Sequence, residues 1–387
     1  MKTTSLRFVR TILLTLMLLA AAVQPAAATV GDTTCVSVNS YGVIGNSSSS
    51  NPTISGDGRF VAFVSLARNL VPGDTNGSGD IFVHDRQTGE TTRVSVDSNG
   101  VEGNDYSHYP AISANGRFVA FESGASNLVA GDSNGYRDIF VHDRQTGETS
   151  RVSVNSSGEE GNSWSEYPAI SANGRFVAFE SLASNLVAGD SNIGSDVFVH
   201  DRQTGETTRV SVDSNGVQGN SYSWYPAISA DGRFVAFESL ASNLVAWDSN
   251  GYRDIFVHDR QTGQTTRASV DSSGVEGNSC SYAPAISADG RFVAFESFAS
   301  NLVAGDSNIT DDIFVHDRQT GETSRVSVDS SGVEGNSHSY APAISANGRF
   351  VAFESFASNL VAGDSNIMDD IFVHEYKAFT YLPLIIR

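Results

Sequence analysis

The chain has 387 residues, of which 40% are hydrophobic, and a formal net charge of −20. This length and composition suit a folded protein with a substantial core, and two cysteines are too few for a disulfide-based framework. The acidic balance, with arginines spread at regular intervals instead of in patches, argues against binding to nucleic acids or anionic membranes.

The first 28 residues have the pattern of an export signal. Lys2, Arg7 and Arg10 give a positive start, residues 11–23 form a short apolar run, and three alanines end the segment. We therefore predict a signal peptide over 1–28 and a protein that is secreted or held in the cell envelope or periplasm. Without those three cations the net charge becomes −23. No apolar stretch reaches the roughly 20 residues of a membrane-spanning helix, so we expect no span.

The rest of the chain is dominated by a 58-residue repeat. A proline marks the same position in every copy. A fixed period of this kind indicates one repeat architecture instead of several unrelated domains. We therefore predict one domain over 29–378, followed by an apolar tail over 379–387. The marker prolines are Pro52, Pro110, Pro168, Pro226, Pro284 and Pro342.

Each copy contains four short strand patterns separated by turn residues. In the second copy these are Pro110–Ser113, Arg117–Ser123, Asp138–Asp143 and Thr149–Val154. Asn-Gly after the first pattern and a glycine after the third are typical of hairpin turns. No segment has the 3.6-residue apolar period of a helix. We therefore predict four antiparallel strands per copy and essentially no helix after the signal.

The two ends of the repeat array complement each other. Thr33–Val38 has the sequence of a fourth strand, whereas Asp370–His374 has the sequence of a third strand that no fourth strand follows. Closing a ring of sheets protects the strand edges that a flat array would expose. We therefore predict an all-β, six-bladed β-propeller of four-stranded blades, in which the N-terminal strand completes the last blade.

The repeat resembles that of the TolB-type six-bladed propellers. The resemblance lies in the blocks ISADGRFVAFES and DIFVHDRQTGETTRVSV and covers nearly the whole chain after residue 28. It departs at Ala114, Ala172 and Ala230, where that family usually has proline, and in a longer loop between the second and third strands. The family is known mainly for binding proteins and for propellers attached to enzymes, so the resemblance implies a binding role.

The copies differ most just before the marker prolines. In a propeller these connections lie on one face, around the mouth of the central channel. Large aromatic residues there suit binding of sugar rings or peptide side chains, although packing against neighbouring blades explains them equally well. Trp247 adds an aromatic ring where the other copies have glycine. The candidate ligand-binding residues are Tyr106, His108, Trp164, Glu166, Tyr222, Trp224 and Trp247.

Two recurring polar patterns raise the question of a metal. Six histidines recur at the repeat period, but equivalent residues of different blades lie far apart in a propeller, so we expect structural hydrogen bonds. The loop after the second strand repeats Asp-x-Asn and a further Asp, as in Asp74, Asn76 and Asp80, with extra acids at Asp311 and Asp369. Such oxygens suit calcium, and Asx turns explain them as well. No other cofactor is expected.

No catalytic motif is recognisable in the chain. His108 and Glu166 are a base and a carboxylate that could meet across the channel mouth. We predict a non-enzymatic, monomeric binding or scaffold module for a protein or glycan. The alternatives are a hydrolase or lyase at the channel mouth and a calcium-stabilised structural surface protein.

Overall fold

The computed structural model describes residues 34–366 and 368–376. The predicted signal peptide over 1–28 and the apolar tail over 379–387 lie outside these residues. The chain divides into two units, Met1–Cys35 and Val36–Arg387, and the second contains all 23 strands. Across the described residues every regular element is a β-strand, and none is a helix that could cross a membrane.

The strands form six antiparallel sheets in chain order, here called blades 1 to 6. Blades 1 and 2 consist of β1 (Ser49–Ile54), β2 (Phe60–Ser65), β3 (Asp80–Asp85), β4 (Thr91–Arg93), β5 (Ser107–Ile112), β6 (Phe118–Ser123), β7 (Asp138–Asp143) and β8 (Thr149–Arg151). Blades 3 and 4 consist of β9 (Ser165–Ile170), β10 (Phe176–Ser181), β11 (Asp196–Asp201), β12 (Glu206–Arg209), β13 (Ser223–Ile228), β14 (Phe234–Ser239), β15 (Asp254–Asp259) and β16 (Gln264–Arg267). Blades 5 and 6 consist of β17 (Ser281–Ile286), β18 (Phe292–Ser297), β19 (Asp312–Asp317), β20 (Glu322–Arg325), β21 (Ser339–Ile344), β22 (Phe350–Ser355) and β23 (Asp370–Glu375).

The predicted all-β, six-bladed propeller is confirmed. Blades 1 to 5 have four strands, whereas blade 6 has three within the described residues. The N-terminal strand that was predicted to complete blade 6 begins at Thr33, which is not described. The end of this segment contacts blade 1, where Val36 packs on the blade and the carbonyl of Val38 accepts a hydrogen bond from Thr91. Val96 and Val154 accept the same hydrogen bond from the next blade, so completion of blade 6 by the N-terminal strand stays a prediction.

Apolar side chains fill the spaces between successive blades. Between blades 1 and 2, Ile81 and Val83 pack with Phe121 and Phe140, all fully buried. The same cluster recurs at each later interface, because both faces of the second and third strands carry β-branched or aromatic residues. Each blade therefore needs a neighbour on both sides to bury its apolar area.

The outer face of blade 6 lacks this cover. Ile371 is 70% exposed and Val373 is 66% exposed, whereas the equivalent Ile313 and Val315 of blade 5 are fully buried. The seam between blades 6 and 1 is therefore open among the described residues.

An arginine that is paired within its blade precedes each second strand, and in blades 1 to 5 the phenylalanine that begins the strand contacts the next blade. Arg59 donates two hydrogen bonds to Asp85, of 2.9 Å and 2.6 Å. The ring of Phe60 lies beside the guanidinium of Arg59 and that of Arg144 from blade 2, 4.7 Å and 4.4 Å from the ring centre. Arg144 also donates to the carbonyl of Gly116. Charge pairing and a cation–π contact from the next blade therefore combine at the four boundaries between blades 1 and 5.

Five of the six recurring histidines have structural hydrogen-bond partners, as predicted. Nδ1 of His84 lies 2.9 Å from Oγ1 of Thr91, which in turn donates to the carbonyl of Val38 in the preceding connection. Burial lowers the pKa of His84, which keeps the ring neutral near pH 7. The same histidine–threonine contact occurs at His142, His200, His258 and His316.

The hairpin glycine between the first and second strands supplies a test of blade packing. Gly232 has φ +76°, and a β-carbon on it would lie 2.1 Å from the ring of Phe176 in the preceding blade. Gly205 also has φ +76° but has nothing within 4 Å of that position. We expect Gly205→Ala to cost about 1 kcal/mol of unfolding free energy from backbone strain alone. Gly232→Ala should cost about 1–3 kcal/mol more, because the ring must move.

Chemical denaturation of both variants and the parent measures this difference. Equal destabilisation by the two substitutions would contradict the tight contact between blades.

Candidate functional site

The inter-blade connections and the loops after the second strands lie at the same end of the blades. In blade 2, Ser107 at the start of β5 pairs with Ser123 at the end of β6, and Ser123 pairs with Asp138 at the start of β7. The variable residues before each marker proline therefore share one face with the long loops. We call it the connection face.

A cavity of about 540 Å³ opens on the connection face at blade 2. We call it the Gly124 cavity. It contains three of the residues predicted from the sequence: Tyr106, His108 and Trp164. Its full lining is Asp105, Tyr106, His108, Gly124, Gly135, Tyr136, Arg137 and Trp164.

A second cavity, of about 250 Å³, lies at the equivalent place in blade 3. We call it the Leu182 cavity. Trp164 lines both cavities, and the predicted residues Glu166, Tyr222 and Trp224 line the second. The structure thus brings six of the seven predicted residues to two adjacent cavities. The full lining is Trp164, Glu166, Glu180, Ser181, Leu182, Ser195, Tyr222 and Trp224.

The aromatic rings of this region pack on one another and still present accessible surface. Tyr106 stacks on His108 with ring centres 5.8 Å apart, and Tyr222 stacks on Trp224 at 5.3 Å. Tyr106 is nevertheless 51% exposed and Trp164 is 49% exposed. These rings therefore both pack against neighbouring side chains and leave surface that a ligand could contact.

Charged side chains between the cavities are paired. Arg137 donates to Oε1 of Glu166 at 2.8 Å and lies 3.5 Å from Oε1 of Glu122. Burial, and then the charge of Arg137, lower the pKa of His108, so this ring is neutral near pH 7. Sequence reasoning did not single out Arg137 or Glu122. The signal for Arg137 was present, because blades 2 and 4 share an Asn-Gly-Tyr-Arg sequence in this loop.

The central channel is lined by the marker prolines and the residues before them, around a space of about 380 Å³. Each of these preceding residues has a positive φ, which is rare for residues other than glycine and marks local strain. Tyr167 lies between Tyr109 and Tyr225, with ring centres 4.5 Å apart on each side. Alanine or asparagine stands at the other three positions, so the channel wall is aromatic on one side only.

Buried glutamates hold this strained backbone. Oε2 of Glu180 accepts the backbone N–H of Tyr225 at 2.8 Å, and Glu122 accepts that of Tyr167 at 3.2 Å. Burial raises the pKa of Glu180 to about 8 and that of Glu122 to about 7. These carboxyls therefore gain or lose protons near neutral pH. The sequence shows that these glutamates recur in Phe-Glu-Ser, but it does not show that they accept hydrogen bonds from the backbone of the next blade.

The suggested pairing of His108 with Glu166 is not seen. Glu166 is bound to Arg137 and lines the Leu182 cavity, whereas His108 stacks on Tyr106 in the Gly124 cavity. In the described part of the chain no hydrogen bond joins the two side chains. The geometry thus gives no base activated by a carboxylate at this place.

In the loops after the second strands, hydrogen bonds and an arginine side chain partner the acidic residues. Asn76 uses Oδ1 in a turn, accepting the N–H of Ser78 at 2.7 Å, and its amide donates to Asp80. A third acid, Glu102, joins Asp74 and Asp80 in a group that recurs in four blades. Nη1 of Arg93 lies 2.5 Å from Glu102 and 3.5 Å from Asp80, so a guanidinium already supplies positive charge there. Calcium binding stays a prediction.

The extra acids of two loops also have side-chain partners. Asp311 lies 3.0 Å from Nδ1 of His338, and Asp369 accepts the hydroxyl of Tyr340 at 2.7 Å.

Trp247 lines neither cavity. It is 91% exposed and has φ +64°, at a position where the other five loops have glycine with positive φ. Its predicted role in binding therefore rests on exposure alone.

Replacing Trp247 by glycine should stabilise the protein by about 0.5–1 kcal/mol, because glycine adopts positive φ without steric cost. The reverse change in blade 3, Gly189→Trp, is the matched control and should destabilise by a similar amount. Thermal and urea denaturation measure both. An unchanged or lower stability of Trp247→Gly would show that the indole makes contacts worth more than the strain.

Glu180 should make stability depend on pH. The unfolded chain releases this proton near the ordinary value of 4.5, whereas burial keeps the pKa near 8 in the folded state. Because the folded state then binds more protons, stability falls as the pH rises between these values. Glu180→Gln, which keeps an oxygen for Tyr225, should lessen the fall in melting temperature between about pH 5 and about pH 8.

Glu354→Gln is the control for this measurement. Glu354 occupies the same strand position in blade 6 but is exposed. A pH profile that Glu180→Gln and Glu354→Gln leave equally unchanged would contradict the assignment.

No protein-family model matches the chain, and no curated protein matches it. Solved structures do. The β-propeller domain of the Trilobed protease from Pyrococcus furiosus, described as having an open velcro topology, is 13% identical with a TM-score of 0.53, over 87% of this chain and 83% of that one. A prolyl endopeptidase structure is 14% identical with a TM-score of 0.52, over 85% of this chain and 41% of that one.

TolB from Acinetobacter baumannii is also among the similar structures, at 18% identity and a TM-score of 0.42. The match covers 73% of this chain and 58% of that one. The predicted six-bladed arrangement of TolB-type propellers is confirmed by the six antiparallel sheets of the chain itself. With the six sheets in chain order, these comparisons identify the chain as a six-bladed β-propeller.

Proposed function

We propose that this chain is an exported, non-enzymatic binding module whose ligand, a protein or a glycan, docks on the connection face. The observation that carries the proposal is the pair of cavities that share Trp164. Six residues that differ between otherwise near-identical copies converge there. Shallow cavities bordered by Tyr and Trp, with a few polar groups, are typical of ligand sites.

The framework beneath the site supports this role. The connections that carry the aromatic residues are held to the long loop of the preceding blade by backbone hydrogen bonds, such as those from the N–H of Ser107 to the carbonyl of Gly79 and from the N–H of Ser165 to the carbonyl of Arg137. A ligand would therefore meet a preformed surface and lose little affinity to ordering of loops.

The export pattern of the first 28 residues supports a location outside the cytoplasm, secreted or in the cell envelope or periplasm. The separate engagement of His108 and Glu166 favours binding over hydrolysis. We propose a monomer, since the six blades bury their interfaces within one chain apart from the open seam.

A combined glycan and peptide array tests the proposal. We expect the protein to retain at least one ligand, and the double variant Trp164→Ala and Trp224→Ala to lose at least tenfold in affinity for it. Trp247→Gly in the same assay tests the predicted role of that residue separately.

Tyr41→Asn is the matched control. Tyr41 is a highly exposed aromatic residue in the connection before blade 1, where the connections before blades 2 and 4 have asparagine. It should bind like the parent. Equal binding by the parent and by a folded double variant would overturn the proposal, as would the absence of any ligand for the parent.

A further inference from the structure

We propose that the Gly124 cavity receives a cationic group of the ligand, an alkylammonium held between aromatic rings and the carboxylate of Asp105. The proposal rests on the proposed function, because it takes the connection face as the binding face, and it adds the chemical class of the group that is bound.

Gly124 opens this cavity. The equivalent residues of the other blades are all large and apolar: Leu66, Leu182, Leu240, Phe298 and Phe356. Gly124 does not have a positive φ, so the backbone does not require glycine there. The three atoms nearest to a β-carbon on residue 124 would all belong to Asp105. The missing side chain therefore leaves space that the fold does not otherwise need.

The Leu182 cavity is the internal comparison. It is the same place one repeat later, with Leu182 at the position of Gly124, and its volume is about 250 Å³ against about 540 Å³. Blade 3 has Gly194 and Ser195 where blade 2 has Tyr136 and Arg137, and these smaller residues would by themselves enlarge the cavity. The smaller space goes with three larger side chains, Leu182 in place of Gly124, Trp164 in place of Tyr106 and Trp224 in place of Glu166.

Asp105 gives the cavity a carboxylate that no other copy has. All five equivalent residues are serines: Ser47, Ser163, Ser221, Ser279 and Ser337. Oδ1 of Asp105 accepts the N–H of Tyr106, and Oδ2 lies 3.3 Å from the point where a β-carbon on residue 124 would lie. This second oxygen is therefore directed at the open space.

Aromatic rings surround the same space. Tyr106 stacked on His108 forms one side, and Tyr136 meets the edge of Trp164 at 5.9 Å on the other. Ring faces attract cations through their quadrupole, and Trp and Tyr are the strongest of the side chains that do so. A carboxylate with several rings is the arrangement that binds ammonium groups.

The charges near the cavity favour a cation over a neutral sugar. Arg137 is neutralised by Glu166 at 2.8 Å and lies near Glu122, and His108 is neutral near pH 7. The negative charge of Asp105 is left over. The whole chain carries a net charge of −20, which adds long-range attraction for a cationic ligand.

An alkylammonium could come from a lysine side chain of a protein or from a quaternary ammonium compound. Two probe pairs separate charge from shape for these sources. N-acetyl-lysine amide is paired with N-acetyl-norleucine amide, and choline is paired with 3,3-dimethylbutan-1-ol. The first member of each pair is charged, and the second is its neutral counterpart.

Nitrogen-15 NMR of the tryptophan indoles measures binding at this place. The chain has three tryptophans, so three indole signals are expected, and Trp164→Phe assigns the relevant one. We expect a saturable shift of the Trp164 signal with at least one charged probe. The neutral partner should bind at least tenfold more weakly, and the signal of Trp247 should not move.

Three variants test the residues. Gly124→Leu should abolish the shift, and Asp105→Ser should weaken binding at least tenfold. Both place in blade 2 a residue that other blades carry, so folding is expected to persist, and the melting temperature checks it. Asp231→Asn, which removes a carboxylate from a hairpin turn at the far end of blade 4, is the control and should bind like the parent.

Equal binding of charged and neutral probes, or full binding by folded Gly124→Leu, would overturn this inference. An array ligand that depends on Trp164 and Trp224 but not on Asp105 or Gly124 would overturn it and leave the proposed function standing. If the parent protein binds no ligand on the array but still binds the charged probes in the Gly124 cavity, the proposed protein or glycan ligand would be overturned, and the binding of an ammonium group would not. If choline binds and the lysine probe does not, the source is a small quaternary ammonium compound.

Discussion

The structure depends on one repeated contact, in which a phenylalanine at a blade boundary lies between two arginines. Phe60 has the guanidinium of Arg59 on its own blade and that of Arg144 from the next blade within 5 Å of its ring centre. The glycine turn of the next blade closes against the same ring, so Gly116 is needed both for its positive φ and for its missing side chain. The contact couples the turn, the ion pair and the inter-blade packing at the four boundaries between blades 1 and 5. At the boundary of blades 5 and 6, Phe292 has Arg291 on one side and Tyr376 in place of the second arginine.

Much of this framework could be predicted from the sequence, because its signals are local. Strand patterns, Asn-Gly turns and the 58-residue period are all contained within a few tens of residues. The structural role of the histidines followed from their spacing, and His84 does contact Thr91 within the same blade. Strand patterns alone could not decide whether blade 6, which has three strands among the described residues, gains a fourth, since that depends on whether two distant chain segments meet.

Part of the candidate site could also be predicted, because differences between repeat copies are visible in the sequence. Residues that differ between copies were visible, and Tyr106, Trp164 and Trp224 do lie at the cavities. The buried Glu180 was not identified, because its partner is the backbone of Tyr225 in another blade, and its raised pKa is a property of burial. Gly124 was not predicted, because the sequence shows only that a side chain is missing there. The cavity that it leaves depends on residues of two blades.

The near identity of the blade interfaces has a consequence for how the chain folds. Second strands with the sequence Phe-Val-Ala-Phe-Glu-Ser occur in five blades, so a strand gains about as much from a third strand of a distant copy as from its own. Contact energies therefore discriminate poorly between correct and shifted pairings. Discrimination must come from loop-closure entropy, which favours the partner that is nearest along the chain. The connections within each copy therefore select the correct pairing, because even the long loop after the second strand is shorter than the path to a third strand of another copy. Lengthening this loop is expected to increase pairing between different copies before it destabilises any one blade.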